Sequence, residues 1–544
     1  MQAISKGVIP MFRRLLLASL TVLMLVTLSA CFLFGSDPEE PDVIDFASLY
    51  PNHGNWYQLF VRSFADSSGD GVGDFRGIAE NLDYFVDLGI DGIWLMPIHP
   101  TSSKHGYDVE DFFAINPEYG TMADFEHLLA EAAKLDIKII IDYVLNHTSE
   151  KHPWFTAFKN GEAPYDQFYH RQSSSSRPTT LGSWGQSIWH GLGGNQWYIG
   201  YFGGYMPDLN WNNPVVRDKM VEIAHFWLEK GVAGFRLDAA MHIQGIGKVP
   251  AGISPIDQTK FELEYFEFHV KDVYPDAYII GEVWTAFSTY VEFFDVMDSV
   301  FHFDYANLAI NAINAGSAHN YVNQVINWEN ATQARKDPVI SAPFLRNHDQ
   351  DRLATDLSGD PGKLRLAAEM LLTVPGNPFL YYGEELGVKG NRSGTAPIWD
   401  ESVRLPMLFD SAYRTTWPIN DWNYHDPFNG DVASVEAQQA NPDSLWHVYA
   451  RLLNLRQDTP ALRYGRMVAY PGNTGAFQAF YRIYEHDDFR EIVLVIHNLS
   501  NSEVTVFEQG EALYYTEHTY AGKLAPRSTV ILRVPDALID QLGE

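Results

Sequence analysis

Three acidic residues follow hydrophobic, β-prone segments and lie beside basic or aromatic residues. They are Asp238 in GFRLDAAMH, Glu282 in GEVW and Asp349 in FLRNHDQDR. Cleaving a glycosidic bond with retention of configuration requires a carboxylate nucleophile and a protonated carboxylic acid flanking the bond. A third carboxylate can bind sugar hydroxyls and stabilise an oxocarbenium-like transition state. The pattern therefore predicts a sugar-cleaving enzyme.

One of these acids has a basic neighbour on the same strand. Arg236 stands two residues before Asp238, so both side chains lie on one face. A guanidinium there is expected to lower the pKa of Asp238 and keep it ionised as a nucleophile. The alternative is a buried ion pair that only braces a strand, because structural pairs also shift pKa values.

The other two acids have neighbours of a different character. Val283 and Trp284 follow Glu282, and an apolar wall there would raise the pKa of the carboxyl and suit it as a general acid. The alternative is an ordinary strand-end glutamate bonded to a loop backbone. His348 and Asp349 offer a donor and an acceptor for sugar hydroxyls, or else form an Asx-type turn. The joint occurrence of the three acids on separate strand ends favours catalysis.

The acids belong to a repeating series of strand and helix patterns. Eight apolar segments are predicted to contain strands: 56–64, 89–98, 138–147, 234–240, 277–284, 299–306, 338–349 and 377–385. Helical patterns lie between them, for example at 124–136 and 215–231. Strands that are apolar throughout and alternate with helices predict a parallel sheet covered by helices. Eight units predict an α/β fold, the (β/α)8 TIM barrel, whose active site lies at the carboxyl ends of its strands.

Two regions depart from this series. An aromatic, glycine-rich segment after the third strand predicts a small inserted domain, because long insertions are usually functional. Short alternating strands near the C-terminus predict an all-β sandwich domain. The predicted organisation is a signal peptide at 1–30, a lipid-anchored tether at 31–48, barrel at 49–146, inserted domain at 147–212, barrel again at 213–461 and the sandwich at 462–544.

The composition limits the partners of the chain. Its 544 residues carry a formal net charge of −31, and 46% of them are hydrophobic. A surface this acidic excludes nucleic acid as a partner, because phosphate binding needs a basic face. A neutral glucan fits this charge. The acidity also suits a salty habitat, which activity measured across salt concentrations would test. The oligomeric state is not predicted.

The N-terminal segment predicts export. Basic residues precede an uncharged stretch at 15–34, as in a signal peptide. Cys31 is the only cysteine, so an intrachain disulfide is impossible. The tetrad LSAC at 28–31 resembles the bacterial lipoprotein box, which implies cleavage before Cys31 and a lipid on its sulfur. An uncleaved membrane span is the alternative. Either way, the rest of the chain is expected outside the cytoplasmic membrane, at the cell surface or in the periplasm.

The motifs together resemble those of the α-amylase family of barrel glycoside hydrolases, from about Trp56 to the C-terminus. The four motifs of that family match DYVLNH at 142–147, GFRLDAAMH at 234–242, GEVW at 281–284 and FLRNHD at 344–349. The resemblance implies that Asp238 is the nucleophile, Glu282 the acid/base and Asp349 the transition-state stabiliser.

The resemblance also implies the residues that bind substrate. Arg236, His147 and His348 match ligands of the first sugar subsite, and His242 keeps its place in the second motif. Tyr107 matches the aromatic platform under the sugar that is cleaved, although a packed core aromatic is the commoner role of a tyrosine.

Details of the motifs favour one branch of the family. Ala239 follows the nucleophile, where similar α-1,6-cleaving enzymes carry valine. MPDLN at 206–210 resembles a form intermediate between oligo-1,6-glucosidases and neopullulanases, as in bacterial lipoprotein α-amylases. Met241 departs from the lysine that many α-amylases place near the leaving-side sugar.

The expected activity is therefore retaining hydrolysis of α-1,4 bonds in starch, maltooligosaccharides and cyclodextrins, with transglycosylation as a side reaction. The alternatives are an α-glucosidase or neopullulanase-like enzyme that acts on α-1,6 links or short oligosaccharides, and a non-catalytic, membrane-anchored sugar-binding or transport accessory protein.

Two structural calcium sites are predicted. DSSGDGVGD at 66–74 places oxygen donors at alternating positions, as a Ca²⁺ loop does; the donors are Asp66, Ser68, Asp70, the carbonyl of Val72, and Asp74. A solvated turn is the alternative. A second site, implied by the resemblance, would use Asn146, Asp208 and the carbonyl of His242. Either metal would be structural, because retaining glycoside hydrolysis needs none for its chemistry.

Overall fold

The computed structural model describes residues 44–249, 252–336, 338–393, 400–410, 415, 429–507, 510–517 and 519–535. The predicted signal peptide and Cys31 lie outside these residues. Residues 44–51 belong to a separate unit that contains one short helix, Phe46–Leu49, at the end of the predicted tether. Among the described residues, no helix combines the length and apolar character needed to cross a membrane.

The central element is an eight-stranded parallel sheet. Its strands are β1 (Trp56–Leu59), β2 (Gly92–Leu95), β3 (Lys138–Val144), β7 (Gly234–Asp238), β8 (Tyr278–Gly281), β9 (Ser299–His302), β10 (Ile340–Pro343) and β11 (Phe379–Tyr381), and β4 to β6 lie in the insertion. They follow one another in the order β10-β9-β8-β7-β3-β2-β1-β11, and a parallel bridge between Phe344 and Phe379 joins the two edges. The predicted barrel is confirmed, and the segment 299–306 contains its strand β9 as predicted.

The first predicted strand is shorter than expected. β1 ends at Leu59, and the rest of the apolar segment forms the helical turn Val61–Phe64, which is fully buried. An apolar run does not distinguish a buried strand from a buried helix by periodicity, and this explains the error.

Helices surround the barrel. The described α-helices of the barrel are Val61–Phe64, Phe75–Ala79, Leu82–Leu88, Met122–Lys134, Pro214–Glu229, Pro255–Lys271, Phe287–Tyr290, Phe303–Ala315, Tyr321–Gln333, Leu353–Asp356, Pro361–Thr373, Val435–Gln439, Leu445–Asp458 and Pro460–Arg463. Their starts follow local signals. Thr121 and Asp124 form a capping box for one helix, and Asn213 caps another that has Pro214 at its first position.

Aromatic side chains fill the barrel interior. Trp56 stacks on Tyr278 and on Phe379, with ring centroids 5.1 and 5.7 Å apart. Gly92 on the neighbouring strand leaves room for the indole, because a Cβ there would lie 2.5 Å from its ring. The packed interior gives the carboxyl ends of the strands a rigid base.

The insertion after β3 is a small domain with its own core. It contains the helix Pro153–Asn160 and a three-stranded sheet of β4 (Arg171–Ser173), β5 (Trp189–Gly193) and β6 (Gln196–Ile199), in the order β4-β6-β5. Its buried core consists of Ile188, Trp189, Ile199 and Tyr201.

The C-terminal region is antiparallel, as predicted. Five strands pair in the order β12-β13-β14-β18-β16, and β15 and β17 form a separate pair. Their bounds are β12 (Arg466–Ala469), β13 (Phe477–His486), β14 (Phe489–Asn498), β15 (Val504–Thr505), β16 (Glu511–Tyr515), β17 (Lys523–Leu524) and β18 (Ser528–Arg533). Val506, which directly follows β15, and Leu524 of β17 share one apolar core with the larger sheet.

A buried glutamate joins this domain to the barrel. Glu369, on the helix Pro361–Thr373, accepts hydrogen bonds from Tyr514 and Thr516. Burial raises the pKa of Glu369 from 4.5 to about 7. The folded protein therefore holds a proton on this residue at pH values where the unfolded chain has released it.

We expect this glutamate to make the protein less stable as the pH rises. The contribution of Glu369 to the free energy of unfolding is fully present below pH 4.5 and is lost as the pH rises through about 7. The loss amounts to about 3 kcal/mol. Thermal denaturation at about pH 5 and about pH 8 should show Glu369→Gln gaining stability relative to the wild type at the higher pH. Glu264→Gln on an exposed helix face is the control. Equal pH slopes in all three proteins would contradict this role.

Candidate active site

Adjacent strands bring an arginine and three carboxylates together. Asp142 on β3 is paired in register with Arg236 on β7, and Val144 with Asp238. Glu282 directly follows β8, which pairs with β7 on its other side. These residues therefore meet at the carboxyl ends of three neighbouring strands, as in other barrels of this architecture.

The guanidinium of Arg236 contacts all three carboxylates. Its Nη1 lies 2.8 Å from Asp142 Oδ1 and 2.7 Å from Asp238 Oδ1. Its Nη2 lies 2.8 Å from Glu282 Oε2. The group is buried, so these charge-assisted contacts are shielded from water and fix the relative positions of the acids.

Sharing one guanidinium changes the expected charge of the nucleophile candidate. The contact between Arg236 and Asp238 is present, and Arg236 lowers the pKa of Asp238 as predicted, but burial outweighs this effect and raises the pKa above its usual value. Burial likewise raises the pKa of Asp142 to about 6. One positive charge cannot compensate three buried carboxylates. The cluster is therefore suited to hold a proton beside an ionised carboxylate.

Glu282 has polar surroundings at its carboxyl. Besides its contact with Arg236, Oε2 accepts a hydrogen bond of 3.1 Å from the N–H of Ala239. Trp284 stacks on Phe303 at 4.8 Å and is half exposed. Ala239 has φ +45°, a left-handed conformation that is strained for a residue with a Cβ. Ala239 directly follows Asp238, and its own N–H is the donor that holds Glu282.

Asp349 lies in a second polar group. Arg404 Nη2 is 2.9 Å from Asp349 Oδ1, and His348 Nε2 is 3.2 Å from Asp349 Oδ2. His348 Nε2 is also 2.6 Å from the hydroxyl of Tyr107, whose ring stacks on the imidazole at 5.7 Å. Tyr107 donates to Asp142 Oδ2 at 3.0 Å and so connects the two groups of acids.

Several members of this site had no assigned role in the sequence. Arg404 follows Asp349 by 55 residues and has no motif of its own. Gln58 bonds the remaining nitrogen of His348 at 2.6 Å, and Trp94 donates to Asp142. Asp142 is the first residue of the first motif, DYVLNH, and lies near the carboxyl end of β3, and this position was the available signal.

The predicted histidine ligands border the inserted domain. His147 follows β3, and its ring lies 5.4 Å from that of Phe202. His242 lies 4.4 Å from Tyr201 between ring centroids. Burial lowers the pKa of His147 to about 3 and that of His242 to about 4. Both rings are therefore neutral at neutral pH and able to donate and accept hydrogen bonds with hydroxyl groups.

The prediction of a second calcium site is wrong, because the ammonium group of a lysine contacts the oxygen atoms that were expected to bind the metal. Lys248 Nζ lies 2.6 Å from Asn146 Oδ1, 2.7 Å from the carbonyl oxygen of His242 and 2.7 Å from Asp208 Oδ2. These are the three oxygen donors that the sequence assigned to calcium. The buried ammonium ties the inserted domain to the barrel beside His147 and His242.

We expect removal of this ammonium to destabilise the protein and to create a calcium requirement. Lys248→Ala leaves Asp208 buried without its partner, a change that costs about 3–5 kcal/mol. It also opens a space surrounded by oxygen donors suited to Ca²⁺. Thermal denaturation with and without calcium should show a larger calcium-dependent rise in melting temperature for Lys248→Ala than for the wild type.

Lys134→Ala, which removes an exposed lysine bonded to Glu131, is the matched control and should behave as the wild type. A Lys248→Ala protein as stable as the wild type without calcium would show that the ammonium is dispensable.

The first predicted metal loop is folded on itself. Asp66 Oδ1 accepts from the N–H of Gly69 at 2.7 Å, and Asp66 Oδ2 from that of Gly71 at 2.6 Å. Asp74 caps the following helix through Gly77 and also binds Ser67. Across the described residues, no group of three His, Cys, Asp or Glu side chains is placed to hold a metal. The loop has the donor types for calcium, but its carboxylates are not gathered around one point.

A parallel eight-stranded barrel with carboxylates at its strand ends has the layout of a (β/α)8-barrel enzyme. Residues 58–465 match the family described as "Alpha amylase, catalytic domain". The chain therefore belongs to the α-amylase family and is an enzyme of that family.

Proteins similar to this chain include both hydrolases and transferases. It is 36% identical to Alpha-amylase 3 of Dictyoglomus thermophilum over 496 residues, which cover 88% of this chain and 93% of the relative. It is 32% identical to a 4-alpha-glucanotransferase of Thermotoga maritima, over 83% of this chain and 97% of the relative. The crystal structure of an alpha-amylase from H. orenii matches with a TM-score of 0.77 and 35% identity, over 89% of this chain and 99% of that one.

Proposed function

We propose that this protein is a retaining hydrolase of α-1,4-glucosidic bonds in starch and maltooligosaccharides, including cyclodextrins. The observation that carries the proposal is the shared contact of Asp238 and Glu282 with Arg236, at 2.7 and 2.8 Å. It fixes two carboxyl groups, one beside the other, in a buried cluster around a single guanidinium. A double displacement needs one ionised and one protonated carboxyl.

The residues divide the reaction between them. Asp238 attacks the anomeric carbon while Glu282 donates its proton to the leaving oxygen, and a covalent glycosyl ester forms. Glu282 then removes a proton from water, which attacks the same carbon and releases Asp238. Asp349, held by Arg404 and His348, binds sugar hydroxyls in both steps.

The test uses the chain from Gly35 onward with maltoheptaose. We expect short maltooligosaccharides released in the α-anomeric form, observed by NMR before mutarotation. Products released in the β form would exclude retention. No cleavage of maltoheptaose, but cleavage of an α-1,6-linked substrate, would favour the α-glucosidase or neopullulanase-like alternative. Glucan binding without cleavage of either substrate would favour an accessory role.

Transglycosylation is proposed as a side reaction. The similarity to a glucanotransferase supports it. Products longer than maltoheptaose at high substrate concentration are expected. Their absence at every concentration would limit the enzyme to hydrolysis.

We propose that the loop 66–74 binds one structural calcium ion. Its support is the set of alternating oxygen donors and the left-handed Gly69 and Gly71, which wrap the loop around Asp66. Calcium should raise the melting temperature of the wild type but not that of Asp70→Asn. Calorimetry that shows no calcium binding to the wild type would exclude the site.

The anchor at Cys31 is proposed from the sequence alone. The lipid-modified cysteine would hold the catalytic domain at the cell surface or in the periplasm through the tether that follows. Intact mass of the membrane-extracted protein should show cleavage before Cys31 and an attached lipid. A full-length, unlipidated N-terminus would contradict the anchor.

A further inference from the structure

The inserted domain carries an unusually exposed tryptophan. Trp184 is 66% exposed, the largest exposure of any tryptophan in the part of the chain that the structure describes. Indole is a large apolar surface, and leaving it in water forfeits the gain from burial. A single exposed apolar side chain needs no explanation by itself, but an indole that is held in place near a site offers a flat apolar face to a ligand.

The loop that carries Trp184 is held by hydrogen bonds. Leu181 and Ser187 form an antiparallel bridge at its base. Gln186 Oε1 accepts from the N–H of Trp184 at 3.0 Å, and Gln186 Nε2 donates to the carbonyl of Tyr201 at 3.2 Å. The N–H of Ser183 bonds the hydroxyl of the same tyrosine. The loop therefore presents the indole from a fixed backbone.

Ring contacts lead from Trp184 to the catalytic strands. Its ring centroid lies 5.4 Å from that of Tyr201, 5.8 Å from Phe202 and 6.3 Å from His242. His242 lies in the turn that follows Asp238. In that turn the N–H of Ala239 bonds the carboxyl of Glu282, and the N–H of Ala240 bonds its carbonyl. A series of contacts therefore connects Trp184, through His242, with the turn whose N–H groups hold Glu282.

The position of Glu282 indicates which part of the substrate Trp184 would meet. A general acid lies beside the oxygen of the leaving group, so the sugars beyond the cleaved bond extend on its side. Tyr107, His348 and Arg404 form the other polar group, around Asp349. Met241, in the same turn as His242, offers no hydrogen-bond donor to a hydroxyl.

We propose that Trp184 is a stacking platform for a glucose unit on the leaving-group side of the cleaved bond. The apolar face of a pyranose covers the indole, while the polar edge of the sugar stays in water. The same platform positions an incoming sugar that acts as acceptor in transglycosylation. This inference rests on the proposed hydrolase function and names the part of the substrate that the insertion recognises.

The test compares a substrate that has glucose units beyond the cleaved bond with one that has none. Maltoheptaose places glucose units on the leaving side, whereas α-maltosyl fluoride has only fluoride there. Trp184→Ala is expected to lower kcat/KM for maltoheptaose by about 10-fold and to leave the fluoride reaction within about two-fold of the wild type. Trp184→Phe should recover part of the loss. Transfer to added maltose should fall with the maltoheptaose reaction.

Leu181→Ala is the matched control, because it removes another exposed apolar side chain, 52% exposed, from the same loop. It should act on both substrates like the wild type. Equal losses on both substrates in Trp184→Ala would show a structural role instead, and unchanged kinetics on maltoheptaose would exclude the platform. A wild type inactive on both substrates would overturn the hydrolase function itself, which is a different outcome.

Discussion

Asp238→Asn is expected to lower kcat for maltoheptaose by about 10⁴-fold or more. An amide cannot form the glycosyl ester, and losses of this size are typical when a catalytic nucleophile is removed. Initial rates of reducing-sugar release measure the effect. The melting temperature should stay close to that of the wild type, because Arg236 keeps its contacts with Asp142 and Glu282.

Asp142→Asn is the matched control for this experiment. It removes a carboxylate that is buried in the same cluster and lies at nearly the same distance, 2.8 Å, from Arg236. It should cost less activity than Asp238→Asn, because Asp142 has no covalent role. A fluorinated glycosyl fluoride that reacts and hydrolyses slowly should label the wild type at Asp238, detected by peptide mass spectrometry. Equal losses in both variants together with labelling elsewhere would assign the nucleophile to another residue.

Glu282→Gln is expected to separate two kinds of substrate. Loss of a general acid costs about 10²–10⁴-fold for a leaving group that needs a proton. Fluoride leaves with much less assistance, so formation of the glycosyl ester from α-maltosyl fluoride should be affected far less. Burst kinetics with this substrate should show the ester accumulating, because its hydrolysis still needs Glu282 as a base.

Azide provides a second measurement for the same variant. It needs no general base, so it should attack the accumulated ester, restore turnover and yield an α-glycosyl azide. The wild type, whose base is intact, should gain nothing from azide. If Glu282→Gln lost the fluoride and maltoheptaose reactions equally, with no azide product, Glu282 would be a structural residue of the Arg236 cluster.

The barrel was predictable because its strands are buried on both faces. Segments such as 138–147 and 234–240 are apolar throughout and end in polar residues, so they indicate both the parallel sheet and the edge that carries the site. The spacing of Arg236 and Asp238 likewise predicted their contact, because residues two apart on a strand share a face.

The charge balance of the cluster was not predictable in the same way. Asp142 and Glu282 come from different strands, and only the register of the sheet brings both to Arg236. The sequence shows which acids exist, but not that three of them share one guanidinium. A pKa depends on that sum and on burial, so the net shift of Asp238 did not follow from its contact with Arg236 alone.

Lys248 shows a second limit. The three oxygen donors of the expected metal site were identified, yet the cation between them is a lysine from a turn six residues after His242. Metal ligands and the partners of a buried ammonium are the same oxygen atoms, so the donors alone do not reveal which cation they hold. Arg404 was missed for a related reason, because a lone arginine in a long loop carries no periodic signal.

The numbers of charged groups at the strand ends have a consequence for inhibitors. In the described part of the chain, four carboxyl groups, Asp142, Asp238, Glu282 and Asp349, form ion pairs with two guanidinium groups, Arg236 and Arg404. Such a pocket attracts a positive centre at the anomeric position and repels a negative one. Basic imino sugars should therefore bind more tightly than neutral sugars of the same shape, and maltose phosphates should be rejected even where their glucose rings fit.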